Sequence, residues 1–194
     1  MYNPILAFFL FFIALTSCKN LDNSSYNKSP NIIFIFADDL GYGDISAFGA
    51  KDILTPNIDF IAENGIKFTD FYSVSSVCSP SRAGMLTGRM PQRFGLNGVL
   101  FPDSHTGMPS SEYTIAELLR DNGYKTGVVG KWHLGHKHDY LPLQQGFDFF
   151  FGIPYSNDMA STVYFGGNDI VDYYPDQTIM TRRLTDEALN FIDS

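Results

Sequence analysis

Short apolar runs alternating with capped helical stretches constrain this chain more than any other feature. Ile32-Ile33-Phe34-Ile35-Phe36 is a continuous apolar run that ends at Asp38-Asp39. A run without polar alternation reads as a strand buried on both faces, the habit of parallel sheets. Thr55-Pro56 then reads as an N-cap with proline at the first helical position. Ile58, Ile61 and Ala62 form a helical stripe, and Gly65 is the stop. Ile66 to Tyr72 alternates as a strand. Thr114 to Asn122 is a second helix, with Thr114 as cap, Glu117 completing a capping box and Gly123 ending it. Thr126-Gly127-Val128-Val129 is the strand that follows. Strands alternating with short helices predict an α/β fold with a mostly parallel central sheet flanked by helices. Leu184 to Ile192 reads as an amphipathic helix with no closing strand behind it, so the expectation is a sheet truncated at the C-terminus.

The chain has 194 residues, the length of one domain. Thirteen basic against 21 acidic residues, a net charge of −8, argue against a nucleic-acid partner, whose binding rests on cationic contacts to phosphate. A small anionic substrate needs only a local positive pocket and stays open. Ile5 to Leu15 is an unbroken apolar run, short of the roughly 20 residues of a membrane span and suited to a signal peptide. Leu15-Thr16-Ser17-Cys18 resembles a bacterial lipobox, although residues 1 to 4 carry no Lys or Arg. The expected organisation is therefore a signal peptide over 1–17, then a lipidated Cys18 leading a flexible tether over 18–30, and a catalytic part over 31–194. Such a protein is exported to a bacterial cell envelope, in the periplasm or at the cell surface, and touches the membrane only through its lipid. With Cys18 acylated, Cys78 is a lone thiol in an exported protein, which calls for an explanation.

Three segments carry side chains suited to chemistry. Asp38-Asp39 places two hard carboxylates after the first apolar run, where open α/β sheets bind ligands, and such a pair favours calcium or magnesium. In Cys78-Ser79-Pro80-Ser81-Arg82, Ser79 reads as N-cap and Pro80 as the first helical residue. Cys78 is then expected just ahead of a helix N-terminus, where amides and dipole favour anions. Arg82 lies one turn on and suits a planar two-oxygen anion. In Gly130-Lys131-Trp132-His133-Leu134-Gly135, Lys131 and His133 share a face if the segment is extended. They offer a charge for an oxyanion and a group that moves protons near neutral pH. Together these residues are the composition of a metal-assisted site for a tetrahedral oxyanion. His136-Lys137-His138-Asp139 reads instead as an exposed loop, and the phenylalanines of 147–151 as core or pocket wall.

Cys78-x-Pro80-Ser81-Arg82, continuing to Leu86-Thr87-Gly88-Arg89, resembles the signature of the sulfatase family, and Gly130 to Gly135 resembles its second signature. Pro30-Asn31-Ile32-Ile33 leading to Asp38-Asp39 is similar to the family's start. Gly98 to Pro102, Gln145 to Asp148 and Gly152 to Asp158 resemble its arylsulfatase branch. The resemblance implies an alkaline-phosphatase-like fold and hydrolysis of sulfate esters. It implies that a maturation enzyme converts Cys78 to formylglycine, whose hydrated aldehyde attacks sulfur, and that Asp38, Asp39 and the modified Cys78 bind calcium. It implies that Arg82 holds the modified side chain, Lys131 contacts the sulfate, His133 bonds the hydrated aldehyde and Ser156 lies near the substrate. The implied partner is a sulfated small molecule or glycan. Two alternatives remain: a phosphatase or phosphonate hydrolase of the same fold, and an inactive envelope lipoprotein that binds sulfated glycans. The implied remaining ligands are expected beyond Ser194, so activity of the 194 residues alone is doubtful.

Overall fold

Four short strands and four α-helices organise residues 29–159 and 162–194, the part of the chain described by the computed structural model. The expected signal peptide, Cys18 and the tether up to residue 28 lie outside the described residues. The chain divides into two units, Met1–Gly41 and Tyr42–Ser194.

In the first unit, residues 29–41 carry no helix or strand. The strand expected at Ile32–Phe36 is not formed. Ile32 to Ile35 lie exposed, Ile35 at 81%. A strand exists only through ladder hydrogen bonds to a neighbour, and none pairs with this run among the described residues.

In the second unit, β1 (Gly127–Lys131) pairs in parallel with β2 (Phe149–Ile153). The expected parallel arrangement is present in this pair. Beyond β2 the sheet continues antiparallel through β3 (Tyr164–Gly166) and β4 (Asp169–Asp172), in the order β1-β2-β3-β4. The connection lengths explain the change. Residues 132–148 allow the crossover a parallel pair requires, whereas residues 154–163 are shorter than such a crossover and Gly167-Asn168 allows only a hairpin.

The phenylalanine run 149–151 is a two-faced strand. Successive side chains point to opposite faces, so Phe150 enters one core with Met108, Trp132, Leu134 and Leu141, while Phe151 and Ile153 enter a second with Tyr164. Core is what these residues become. Gly130 faces Gly152 across the pair, and a Cβ at Gly152 would come within 1.8 Å of the Gly130 carbonyl oxygen. The strands approach closely there because both positions lack a side chain.

The helices α1 (Pro56–Asn64), α2 (Cys78–Thr87), α3 (Ile115–Asp121) and α4 (Met180–Ile192) match four expectations in outline. α3 begins as expected, since Thr114 Oγ1 accepts from Glu117 N at 3.1 Å and the Glu117 carboxylate takes Thr114 N–H at 2.7 Å. α4 lays Phe191 on Phe149, ring centroids 5.3 Å apart, and covers the second core with Met180 and Leu184. α1 forms at the predicted place, yet Ile58 and Ile61 remain exposed. Thr55 bonds Ser46 and Asp59 side chains rather than capping a backbone amide. The strand expected at Ile66–Tyr72 is absent. Ile66, Phe68, Phe71 and Tyr72 lie exposed with no ladder partner among the described residues, so alternation alone did not make a strand.

Candidate active site at the end of β1

Cys78 sits two positions further into the helix than the sequence suggests. It is the first residue of α2, half-buried, with Val77 as an extended N-cap that makes no side-chain capping bond. Ser79 therefore does not cap. Fully buried, it turns its hydroxyl inward, where Oγ accepts the Leu100 N–H at 3.0 Å. Ser81 Oγ donates to the Ser75 carbonyl at 2.6 Å, and Ser81 N closes onto Val77 O at 3.2 Å. Pro80 costs no hydrogen bond, because the first-turn amides of a helix have no intrahelical acceptor. At the far end Gly88, at φ +64°, returns its N–H to Gly84 O at 2.8 Å. Both ends of α2 are thus fixed locally, and the half-positive N-terminus lies at Cys78.

Arg82 links this helix to the sheet. Its side chain is buried, and Nη1 donates to the Lys131 carbonyl at 2.6 Å, on the last residue of β1. Two residues on, His133 is fully buried, and its Nε2–H donates to the Leu100 carbonyl at 2.7 Å. A carbonyl only accepts, so Nε2 carries the proton and exchange with other groups falls to Nδ1. Leu100 thereby receives Ser79 through its oxygen-seeking N–H and His133 through its carbonyl. One backbone unit holds the mouth of α2 and the histidine in register.

The expected i, i+2 alternation does not run through this stretch. His133 adopts φ +59°, in the left-handed region, immediately after Trp132 leaves the strand. Non-glycine residues persist there only where their surroundings over-determine them, and such positions cluster at functional sites. The charges of Lys131 and His133 nevertheless act on one carboxylate. Asp158 is held below the usual carboxylate range, first by a hydrogen bond from the Ser156 hydroxyl and then by its own backbone N–H, with Lys131 and His133 adding positive charge. Behind His133, Tyr155 packs edge-on at 5.5 Å between ring centroids. Burial, with the Asp103 charge, pushes the Tyr155 phenol up to about 12. Burial also lowers His136, followed by the charges of Lys137 and His105. A neutral His136 Nδ1 thus accepts from the Tyr155 hydroxyl. His136 is half-buried and serves as a prop, while His138 and Asp139 are exposed as expected.

Asp38 and Asp39 belong to the first unit, at a bend where Asp39 takes φ +56°. Their oxygen donors fit calcium in kind, but two carboxylates fall short of the six to eight oxygens the ion takes. Among the described residues, no group of three His, Cys, Asp or Glu side chains is arranged to hold a metal.

Ser79, Leu100, Tyr155 and Asp158 were not singled out from the sequence as site residues. Leu100, Tyr155 and Asp158 lie in segments resembling the arylsulfatase branch, which was the one available signal. Nothing in a sequence marks a backbone unit that will serve two partners.

The sulfatase family model matches residues 30–194. The chain belongs to the sulfatase family. It is 54% identical to arylsulfatase A of Homo sapiens over 136 residues, covering 69% of this chain and 27% of that protein. Against steryl-sulfatase of Homo sapiens it is 43% identical over 178 residues, covering 83% of this chain and 30% of that one. The chain thus spans about a third or less of the curated relatives it matches. Among solved structures, Ps i-CgsB in complex with k-i-k-neocarrahexaose superposes with a TM-score of 0.78 at 34% identity, over 86% of this chain and 42% of that one. The PsFucS1 sulfatase from Pseudoalteromonas sp. superposes with a TM-score of 0.76 at 30% identity, over 94% and 44%. The fold is accordingly the α/β, alkaline-phosphatase-like fold of sulfatases. Among the described residues no helix is long and apolar enough to cross a membrane.

Proposed function

We propose that the protein is a sulfuric ester hydrolase whose chemistry centres on Cys78, Arg82, Lys131 and His133. The observation that carries this reading is the buried Arg82, one helical turn beyond Cys78, bonded to the Lys131 carbonyl where β1 ends. That contact brings the first and second signature segments to one place, beside a helix N-terminus that favours anions. Family membership supports the same reaction class.

In this reading Cys78 is the position matured to formylglycine, whose hydrated aldehyde supplies a nucleophilic oxygen that a thiol lacks. Asp38 and Asp39 would be ligands of a calcium ion, which stabilises charge developing on sulfonyl oxygens. Arg82 neutralises negative charge beside residue 78. Lys131 donates to sulfate oxygens. His133, with Nε2–H committed to Leu100, bonds or relays a proton at Nδ1. Ser156, whose hydroxyl orients on Asp158, lies at the substrate edge. The substrate is a sulfated small molecule or glycan; the hexaose bound by Ps i-CgsB favours the glycan. A maturation enzyme is a required partner. Residues 1–17 direct export, and lipidation of Cys18 holds the protein to the bacterial envelope; loss of palmitate labelling on Cys18→Ala tests that anchor.

The function is tested on full-length protein from its native host with 4-nitrophenyl sulfate and 4-nitrophenyl phosphate. Sulfate is expected to be cleaved faster, and Cys78→Ala to abolish that cleavage. Faster phosphate cleavage, or an intact thiol in the mass of the peptide spanning Cys78, overturns the reading.

A further inference from the structure

Beside the Ser156–Asp158 loop lies a cavity of about 580 Å³, lined chiefly by Met159, Thr162, Val163, Tyr173, Tyr174 and Gln177. Its size is in the range of small-molecule sites. Its wall and the loop are one hydrogen-bonded piece. Met159 N donates to Ser156 O at 3.1 Å, Gln177 Nε2 donates to Asn157 O at 2.9 Å, and Asn157 Nδ2 donates to Gln177 Oε1 at 3.2 Å. The cavity wall is therefore fixed to the backbone of Ser156 and Asn157.

The lining has a definite chemistry. Tyr174 is 95% exposed, and Tyr173 beside it is exposed as well. Two adjacent uncovered tyrosines offer flat apolar faces with hydroxyl rims. Thr162 adds a further hydroxyl, and Met159 and Val163 make the floor apolar. No charged side chain lines the cavity among the described residues, so a second sulfate would find no charge-assisted partner there. A pyranose ring matches this surface, with C–H bonds on one face and hydroxyls around its edge.

We propose that this cavity is a subsite for an uncharged saccharide ring flanking the sulfated residue of the substrate, with Tyr173 and Tyr174 as its stacking surface. The proposal rests on the sulfatase reading and narrows it to oligosaccharides. Tyr173 and Tyr174 are specificity determinants that never touch the reacting sulfur.

The test uses full-length protein carrying Cys78→Ala, which prevents turnover, on an array of sulfated mono- and oligosaccharides and their unsulfated counterparts. The parent is expected to retain sulfated oligosaccharides more strongly than sulfated monosaccharides. Adding Tyr174→Ala or Tyr173→Ala should weaken oligosaccharide binding about tenfold and leave the monosaccharides unchanged, a tenfold step being about 1.4 kcal/mol. In protein with native Cys78, the tyrosine variants should hydrolyse 4-nitrophenyl sulfate at the parent rate. Oligosaccharide binding untouched by both tyrosine changes overturns the proposal, as does a parent that retains no saccharide. An equal loss on the aryl ester overturns it too, since that would make the tyrosines structural. Failure of the native-Cys78 parent to cleave any sulfate ester is a separate result and sinks the sulfatase reading instead.

Discussion

Ser79→Ala is the most revealing single change, because position 79 is the free position of the Cys-x-Pro-Ser-Arg signature and its loss leaves the signature intact. Ser79 is fully buried, and its only polar atom takes the Leu100 N–H at 3.0 Å. Removing it leaves that amide buried without its acceptor, at about 1–3 kcal/mol. Leu100 then moves, and with it the carbonyl that fixes His133 Nε2 at 2.7 Å. Displacement of a catalytic group by a fraction of an ångström is costly, and we expect kcat/KM on 4-nitrophenyl sulfate to fall about tenfold, or about 1.4 kcal/mol in barrier. The discriminating assay is a double-mutant cycle with His133→Ala in full-length protein, maturation at Cys78 being checked by peptide mass in all four proteins. Residues sharing a hydrogen-bond network couple by about 0.5–3 kcal/mol. The loss from Ser79→Ala should therefore largely disappear once His133 is absent. Losses that simply add would refute the Leu100 link, and an unchanged Ser79→Ala enzyme would refute its premise.

Other perturbations address separate parts of the molecule. Arg82→Lys keeps the charge but replaces a planar fork with a point donor; kcat/KM should drop about a hundredfold, close to 2.7 kcal/mol, and wild-type kinetics would remove Arg82 from the site. Gly152→Ala drives a methyl to 1.8 Å from the Gly130 carbonyl oxygen, and backbone cannot yield as a flexible side chain does. Overpacking of this kind should destabilise by about 3 kcal/mol in thermal or urea unfolding, or abolish soluble expression. Asp172 is held below the usual carboxylate range, first by the Arg183 hydrogen bond at 2.7 Å and next by the Tyr174 amide. A depressed pKa contributes stability above the unfolded value near 4 and loses it as pH falls through the folded one. Melting temperatures of wild type and Asp172→Asn should therefore differ by a constant amount above about pH 4 and converge below it; a gap that widens in acid contradicts the assignment.

What could be read from the sequence was what depends on near neighbours. The α3 capping box needs only Thr114 and Glu117, three positions apart, and it formed as expected. The helix after Cys78 was legible too, but its start shifted by two residues because Ser79 found a better use than capping, a Leu100 amide far away in sequence. Ile32–Phe36 and Ile66–Tyr72 have strand composition and no ladder among the described residues, since a strand is a property of two segments and a sequence pattern describes one. The phenylalanines of 147–151, read only as core or pocket wall, include a strand for the complementary reason: β1 and β3 both pair with Phe149–Ile153.

The same distinction divides the site. Residue types capable of handling an oxyanion are visible as letters, and Cys78, Arg82, Lys131 and His133 were all legible in this way. Their arrangement is not, because it runs through backbone atoms. Arg82 is fixed by a carbonyl of residue 131, His133 by a carbonyl of residue 100, and Ser79 by the amide of that same residue. A side-chain substitution at 100 leaves its carbonyl and amide in place, so that position can vary in sequence while the geometry persists. The letters that matter most for precision are consequently the ones that set backbone conformation nearby, such as the left-handed His133 and the Gly130–Gly152 contact. A change at Gly152 can damage the site without removing a single reacting atom.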